Sequence, residues 1–174
     1  NLKVGTIADL IDYKLSKEST IENVHTKEVS TEFGEFRLDV WRDVIFDEHH
    51  FSLTKGSPEK ADVPMVRVQT QSVLQDTLGI DEIGKKWSIR KSLQKISDEG
   101  TGVFVLINHR DAKTYWLSSL KDENIEPKRN RRVIGIGSQI LRSLGLNRIN
   151  VLGTPTKYSG LSGFNIEIEG FIDE

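Results

Sequence analysis

RVIGIGSQILRSLGLNRINVLGTPTKYSGLSGFNIEI, residues 132–168, changes its hydrophobic period along its length and reads as helix, strand, turn-rich connection and strand. Ile140, Leu141 and Leu144 fall at helical spacing, and Gly145 stands where a helix stops. RINVL follows as a short apolar strand, and GTPTKYSGLSG is dense in turn formers. In FNIEIEGFI, the residues Phe164, Ile166 and Ile168 alternate with polar neighbours, the period of a strand with one buried face.

Working upstream, VFVLI is a buried-strand run, and before it Ile83, Trp87, Leu93 and Ile96 form a helical stripe between Asp81 and Glu99 that Gly100 and Gly102 terminate. MVRVQTQSV reads as a strand with Val66 and Val68 on one face and Arg67 and Gln69 on the other. Phe36, Leu38 and Val40, then Ile45, Phe51 and Leu53, alternate as antiparallel strands with a hairpin, and KGSPEKADVP is the polar break that follows. Ile7, Leu10, Ile11 and Leu15 recur at helical spacing between Thr6 and Ser16. TYWLSSL is a further helix candidate and DENIEPKRNRR a charged loop. Antiparallel strands first, with helix and strand alternating later, predict an α+β domain of mixed, largely antiparallel sheets with helices.

The 174 residues, 36% hydrophobic, suffice for one well-cored domain. Lys and Arg total 24 against 26 Asp and Glu, so no global field attracts nucleic acid or an anionic membrane surface, and neither is expected as a partner. No apolar run is long enough to cross a bilayer, and the first residues lack the pattern of a secretory signal. There is no cysteine, which excludes disulfides and thiolate chemistry and points to a reducing, cytoplasmic location. The sequence opens on Asn1 rather than methionine, so a piece of a longer polypeptide is expected.

Two segments resemble GTP cyclohydrolase II, an enzyme of riboflavin biosynthesis. MVRVQTQSVLQDTLG, running on to LQKISDEGTGVFVLI, is similar to a family block reading V-R-x-H-S-E-C-L-T-G-D, then two more cysteines, then a helix ending E-E-G-x-G before an apolar strand. The segment from Arg132 is similar to the family's R-D-Y-G-I-G-A-Q-I-L-R-x-L-G-V, followed by a strand, T-N-N-P-x-K-Y-x-G-L and a last strand. GEFRLDVWRD also resembles the family. The leader NLKVGTIADLIDYKL instead resembles the tail of 3,4-dihydroxy-2-butanone 4-phosphate synthase, often fused ahead of a cyclohydrolase II domain. The resemblance therefore implies a linker helix from a preceding synthase domain over residues 1–18 and a GTP cyclohydrolase II-like domain over 19–174.

In that family three cysteines spaced Cys-x10-Cys-x-Cys hold a zinc ion whose water opens the guanine imidazole ring and releases formate. Zinc does this by lowering the pKa of its water from about 15.7 to about 7. Here the three positions are Ser72, Ile83 and Lys85: a poor neutral ligand, no ligand, and a cation that repels the metal. No zinc or other cofactor is therefore expected. The family's His-Ser-Glu is Gln69, Thr70 and Gln71, and its R-Q-E-G-R loop is Asn108, His109, Arg110, Asp111 and Ala112. The loop from Asp111 to Arg131 is shorter than the family's, and Tyr115 stands for its tyrosine only by proximity. Three cations survive. Arg67 matches the arginine of V-R, Arg132 that of R-D-Y, and Lys157 the lysine of P-x-K-Y, types that contact phosphate in active relatives. Arg132, whose counterpart in the family is a candidate nucleophile toward the phosphate, is the one catalytic candidate here; the alternative for both arginines is an exposed or salt-bridged residue.

Other signals weigh toward structure. His49 and His50 beside Asp47 and Glu48 could be read as a metal cluster, but neighbours on a strand point to opposite faces, so a hairpin-tip surface is the better reading. His25 and His109 are isolated, and KRNRR lacks interleaved aromatic residues. Gly135 and Gly137 suit close helix contact as well as a phosphate cradle, and Trp41, Trp87 and Trp116 suit core or interface anchors. No local Ser-His-Asp arrangement is present. The expected function is a non-hydrolytic cyclohydrolase II-like domain that supports or regulates a fused butanone-phosphate synthase, within a homodimer. The rivals are a sensor of GTP or another phosphorylated small molecule, held by Arg67, Arg132 and Lys157, and a metal-free enzyme that cleaves phosphoanhydrides at Arg132.

Overall fold

A computed structural model of the chain describes residues 19–80, 87–108, 131–155 and 164–173. The strands are β1 (Ile21–Thr31), β2 (Gly34–Asp43), β3 (Glu48–Lys55), β4 (Met65–Thr70), β5 (Gly102–Ile107), β6 (Arg148–Leu152) and β7 (Glu167–Ile172). The helices are α1 (Ile89–Glu99) and α2 (Arg131–Ser143), with single turns at Pro58–Lys60 and Val73–Thr77. The seven strands make one mixed sheet in the order β1-β2-β3-β5-β4-β6-β7. β1 to β3 form an antiparallel meander that continues antiparallel onto β5, while β4 lies parallel to β5 and β6, and β7 parallel to β6. The α+β class is the one expected.

Register assigns each strand residue to a face. Leu38, Leu53, Phe104 and Arg67 lie in one cross-strand row, and residues one position along lie on the opposite face. The face that carries Arg67 is covered by α1: Leu93 and Ile96 pack with Phe36, Met65, Trp87, Phe104 and Leu152. The other face is covered by α2: Ile136, Ile140 and Leu141 pack with Trp41, Val66, Val103, Val105 and Val151. Gly137 lets this helix approach closely, since a Cβ there would come within 2.8 Å of a Val68 methyl.

The ends of several elements differ from their periodicity. The strand through Val66 and Val68 stops at Thr70, because Ser72 caps the turn Val73–Thr77: its hydroxyl accepts from the Gln75 N–H at 3.4 Å. The helical stripe starts only after Ser88, whose hydroxyl accepts from the Lys91 N–H, and ends at Gly100 in the left-handed conformation with φ 77°. Trp87 therefore joins the same core from the segment before the helix rather than from the helix itself. The last strand begins at Glu167, although Phe164 and Ile166 ahead of it are buried. Ile45 belongs to no strand; it sits exposed in the β2–β3 turn. The expected helices over Thr6–Ser16 and TYWLSSL lie outside the described residues, as do Trp116 and Tyr115. No helix among the described residues is long and apolar enough to cross a membrane.

Candidate functional site

Arg67 projects from the middle of β4 onto the α1 face. Its guanidinium donates to the Gln69 Oε1 at 2.8 Å, to the Leu152 carbonyl at 2.6 Å and to the Trp87 carbonyl at 3.3 Å. It thus ties β4 to the end of β6 and to the segment leading into α1. Gln69, one of the positions that replaces the family's His-Ser-Glu, is buried and presents its amide oxygen to this arginine.

Arg132 stands in the first turn of α2 on the opposite face. It donates to Glu48 at 2.6 Å and to Asp43 at 3.4 Å, and its guanidinium lies 3.6 Å from the centre of the Phe46 ring. Both carboxylates are buried: Asp43 ends β2, and Glu48 opposite it begins β3. His50, next along the same face of β3, is also buried. Its Nδ1 accepts from the Asn108 N–H at 3.2 Å, so the imidazole is neutral with its proton on Nε2. Burial pushes its pKa below the ordinary 6.5, outweighing the opposing pull of Asp43 and Glu48; Arg132 and His49 push the same way as burial.

The sign follows from linkage. Below the ordinary histidine pKa the unfolded chain binds a proton that folded His50 still refuses, so stability falls as the pH drops. The midpoint of thermal unfolding should decline between about pH 7.5 and about pH 5.5, and less steeply in His50→Asn. Equal slopes in the two proteins would refute this role for His50.

A family model described as GTP cyclohydrolase II matches residues 22–173. The chain belongs to the GTP cyclohydrolase II family. A relative from Pseudomonas aeruginosa named 3,4-dihydroxy-2-butanone 4-phosphate synthase is 32% identical over 98% of this chain and 48% of its own length. One of the same name from Neisseria meningitidis serogroup B is 35% identical over 98% of this chain and 47% of its own. The riboflavin biosynthesis protein RibBA of Cytophaga hutchinsonii is 31% identical over 97% and 45%. The crystal structure of RibBX, described as a two-domain 3,4-dihydroxy-2-butanone 4-phosphate synthase from A. baumannii, superposes with a TM-score of 0.73 at 30% identity, over 99% of this chain and 46% of that one. The chain spans about half the length of the curated relatives it matches.

Membership in the GTP cyclohydrolase II family directs attention to a zinc site. Of the three positions where the family motif has cysteine, Ser72 is described, and its hydroxyl is occupied in capping the turn that follows; its own N–H donates to Asp76 at 2.7 Å. Ile83 and Lys85 lie outside the described residues. Among the described residues no group of three or more His, Asp or Glu is arranged to hold a metal. A capping serine, an isoleucine and a lysine do not fit the thiolate donor set.

Of the three cations expected to act together, the two that are described do not share a surface. Arg67 and Arg132 occupy opposite faces of the sheet, each bonded within the fold, and Lys157 lies outside the described residues, as do His109 to Ala112. The hairpin-tip reading holds for Asp47 and His49, which are exposed, and not for Glu48 and His50, which are buried. Of the partners of Arg132, Asp43 is not singled out by its spacing, and Glu48 enters only beside Asp47, His49 and His50. Their parity with Trp41 and Ser52 along the two strands is the available signal; the fold then joins Trp41 and Ser52 by an indole-to-hydroxyl bond of 2.9 Å.

Proposed function

We propose that this chain is the non-hydrolytic, cyclohydrolase II-like part of a fused 3,4-dihydroxy-2-butanone 4-phosphate synthase, and that it supports the synthase structurally or as a regulator. The observation that carries this reading is the state of Arg132. The one catalytic candidate is held by two buried carboxylates of its own fold, so its charge is already balanced before any phosphate arrives. With Ser72, Ile83 and Lys85 at the zinc positions, the means of making hydroxide for ring opening is missing as well. The protein would work in the cytoplasm as a homodimer, the state usual in its family.

Removing residues 19–174 from the full-length protein should lower its synthase activity or change its assembly, measured by product formation and light scattering. A truncated protein with unchanged activity, stability and number of subunits would contradict the proposal. Calorimetry with GTP, flavin nucleotides and ribulose 5-phosphate separates it from a sensor built on Arg67, Arg132 and Lys157. Flat titrations are expected, since the two arginines already face protein acceptors on opposite sides of the sheet. The absence of pyrophosphate after incubation with GTP is the corresponding expectation for phosphoanhydride cleavage at Arg132.

A further inference from the structure

Val44, Ile45 and Phe46 form a contiguous apolar tip between β2 and β3, 44%, 53% and 41% exposed. Hairpin turns are ordinarily built from glycine and small polar residues, so three successive large apolar side chains in water need a reason. The tip is held firmly. The Asp43 carboxylate accepts from the N–H groups of Ile45 at 2.9 Å and Phe46 at 3.3 Å. Asp47 closes the turn with φ 52° and accepts from Arg42 at 2.9 Å. Arg132 stacks beneath Phe46 while binding Asp43 and Glu48. A backbone fixed in this way, with the Phe46 ring held as well, loses little freedom on docking. Exposed Arg42, Asp47 and His49 surround it with polar groups, giving the apolar centre and polar rim of an interface.

Its position selects the occupant. The Val44 N–H donates to the Thr20 carbonyl at 2.9 Å, and Thr20 is in turn pinned to Gln139 on α2 through its N–H and hydroxyl. A domain joined through residues 1–18 is therefore tethered within reach of the tip. Three side chains fall well short of the roughly 800 Å² per partner of a free-standing interface, which disfavours a second copy. A tethered domain sees the tip at an effective concentration on the order of millimolar, where a small apolar knob is enough.

We infer that Val44–Phe46 is the docking knob for the preceding synthase domain, received in an apolar recess of that domain. This rests on the fused-domain reading above. It also gives Arg132 a use: the arginine props the knob.

The test uses the full-length protein, with hydroxyl-radical footprinting read by mass spectrometry. Val24 on β1, 48% exposed, serves as reference. In Ile45→Asp, labelling of Phe46 should rise at least about threefold over wild type, and protease cleavage between residues 1 and 18 should accelerate about fivefold, with the unfolding midpoint unchanged. Val24→Asp, which removes a similar apolar exposure elsewhere, should alter neither. Equal labelling of Phe46 in wild type and Ile45→Asp would overturn the inference. So would tip protection that disappears on dilution together with loss of dimer mass, which would assign the knob to a second copy. Synthase activity is read separately: its indifference to removal of residues 19–174 would end the functional proposal, whereas the footprint decides the docking surface by itself.

Discussion

Replacing Arg132 by methionine is expected to lower the stability of the domain by about 3 kcal/mol, because it removes the cation facing two buried carboxylates. Asp43 and Glu48 side chains are 1% and 6% exposed and the arginine 18%, so solvent screens the loss only slightly. Methionine preserves most of the length and apolar contact, which makes charge the variable that changes. Denaturant unfolding should show a lower midpoint at unchanged slope. Adding Asp43→Asn and Glu48→Gln should recover part of the loss, since neutral amides no longer need the cation. A ligand-binding arginine would behave oppositely, its removal leaving stability level or improved. A loss below about 0.5 kcal/mol would remove the structural role argued for Arg132.

Arg67 gives the second large effect. Its guanidinium serves Gln69, Leu152 and Trp87, acceptors on residues that are each at most 6% exposed. Arg67→Met withdraws three donors at once, and each buried acceptor left short costs about 1 to 3 kcal/mol. Taken at the low end for each of the three acceptors, a total of about 3 kcal/mol is expected, with faster hydrogen exchange at Gly153, whose N–H donates to Ile172 beside the broken contact. Arg67→Lys should recover little, because an ammonium cannot span acceptors on three segments. Full stability in the lysine variant would show that charge, not the forked geometry, is what this position supplies.

Much of the secondary structure was readable because periodicity is local. Ile140 and Leu141 lie on a real helix face, with Leu144 packing against the same core just past the helix end, and Val66 and Arg67 do point to opposite sides of β4. Strand order was not readable: β4 inserts between β5 and β6 through pairings with no local signature. Ile45 was placed in a strand because apolarity does not distinguish a buried strand residue from an exposed tip. The surroundings of Arg132 were hidden for a related reason, its two carboxylate partners lying 89 and 84 residues earlier in the chain. Family motifs located the candidate residues; only the fold shows which face each occupies.

The most direct measurement is formate release from GTP by the purified protein supplied with zinc, with bound metal quantified in the same sample. The account predicts no formate above the protein-free control and far less than one zinc per chain after dialysis. Sustained formate production by protein retaining one zinc per chain would contradict it, since a sequence without cysteine would then be assembling a hydrolytic centre from other donors.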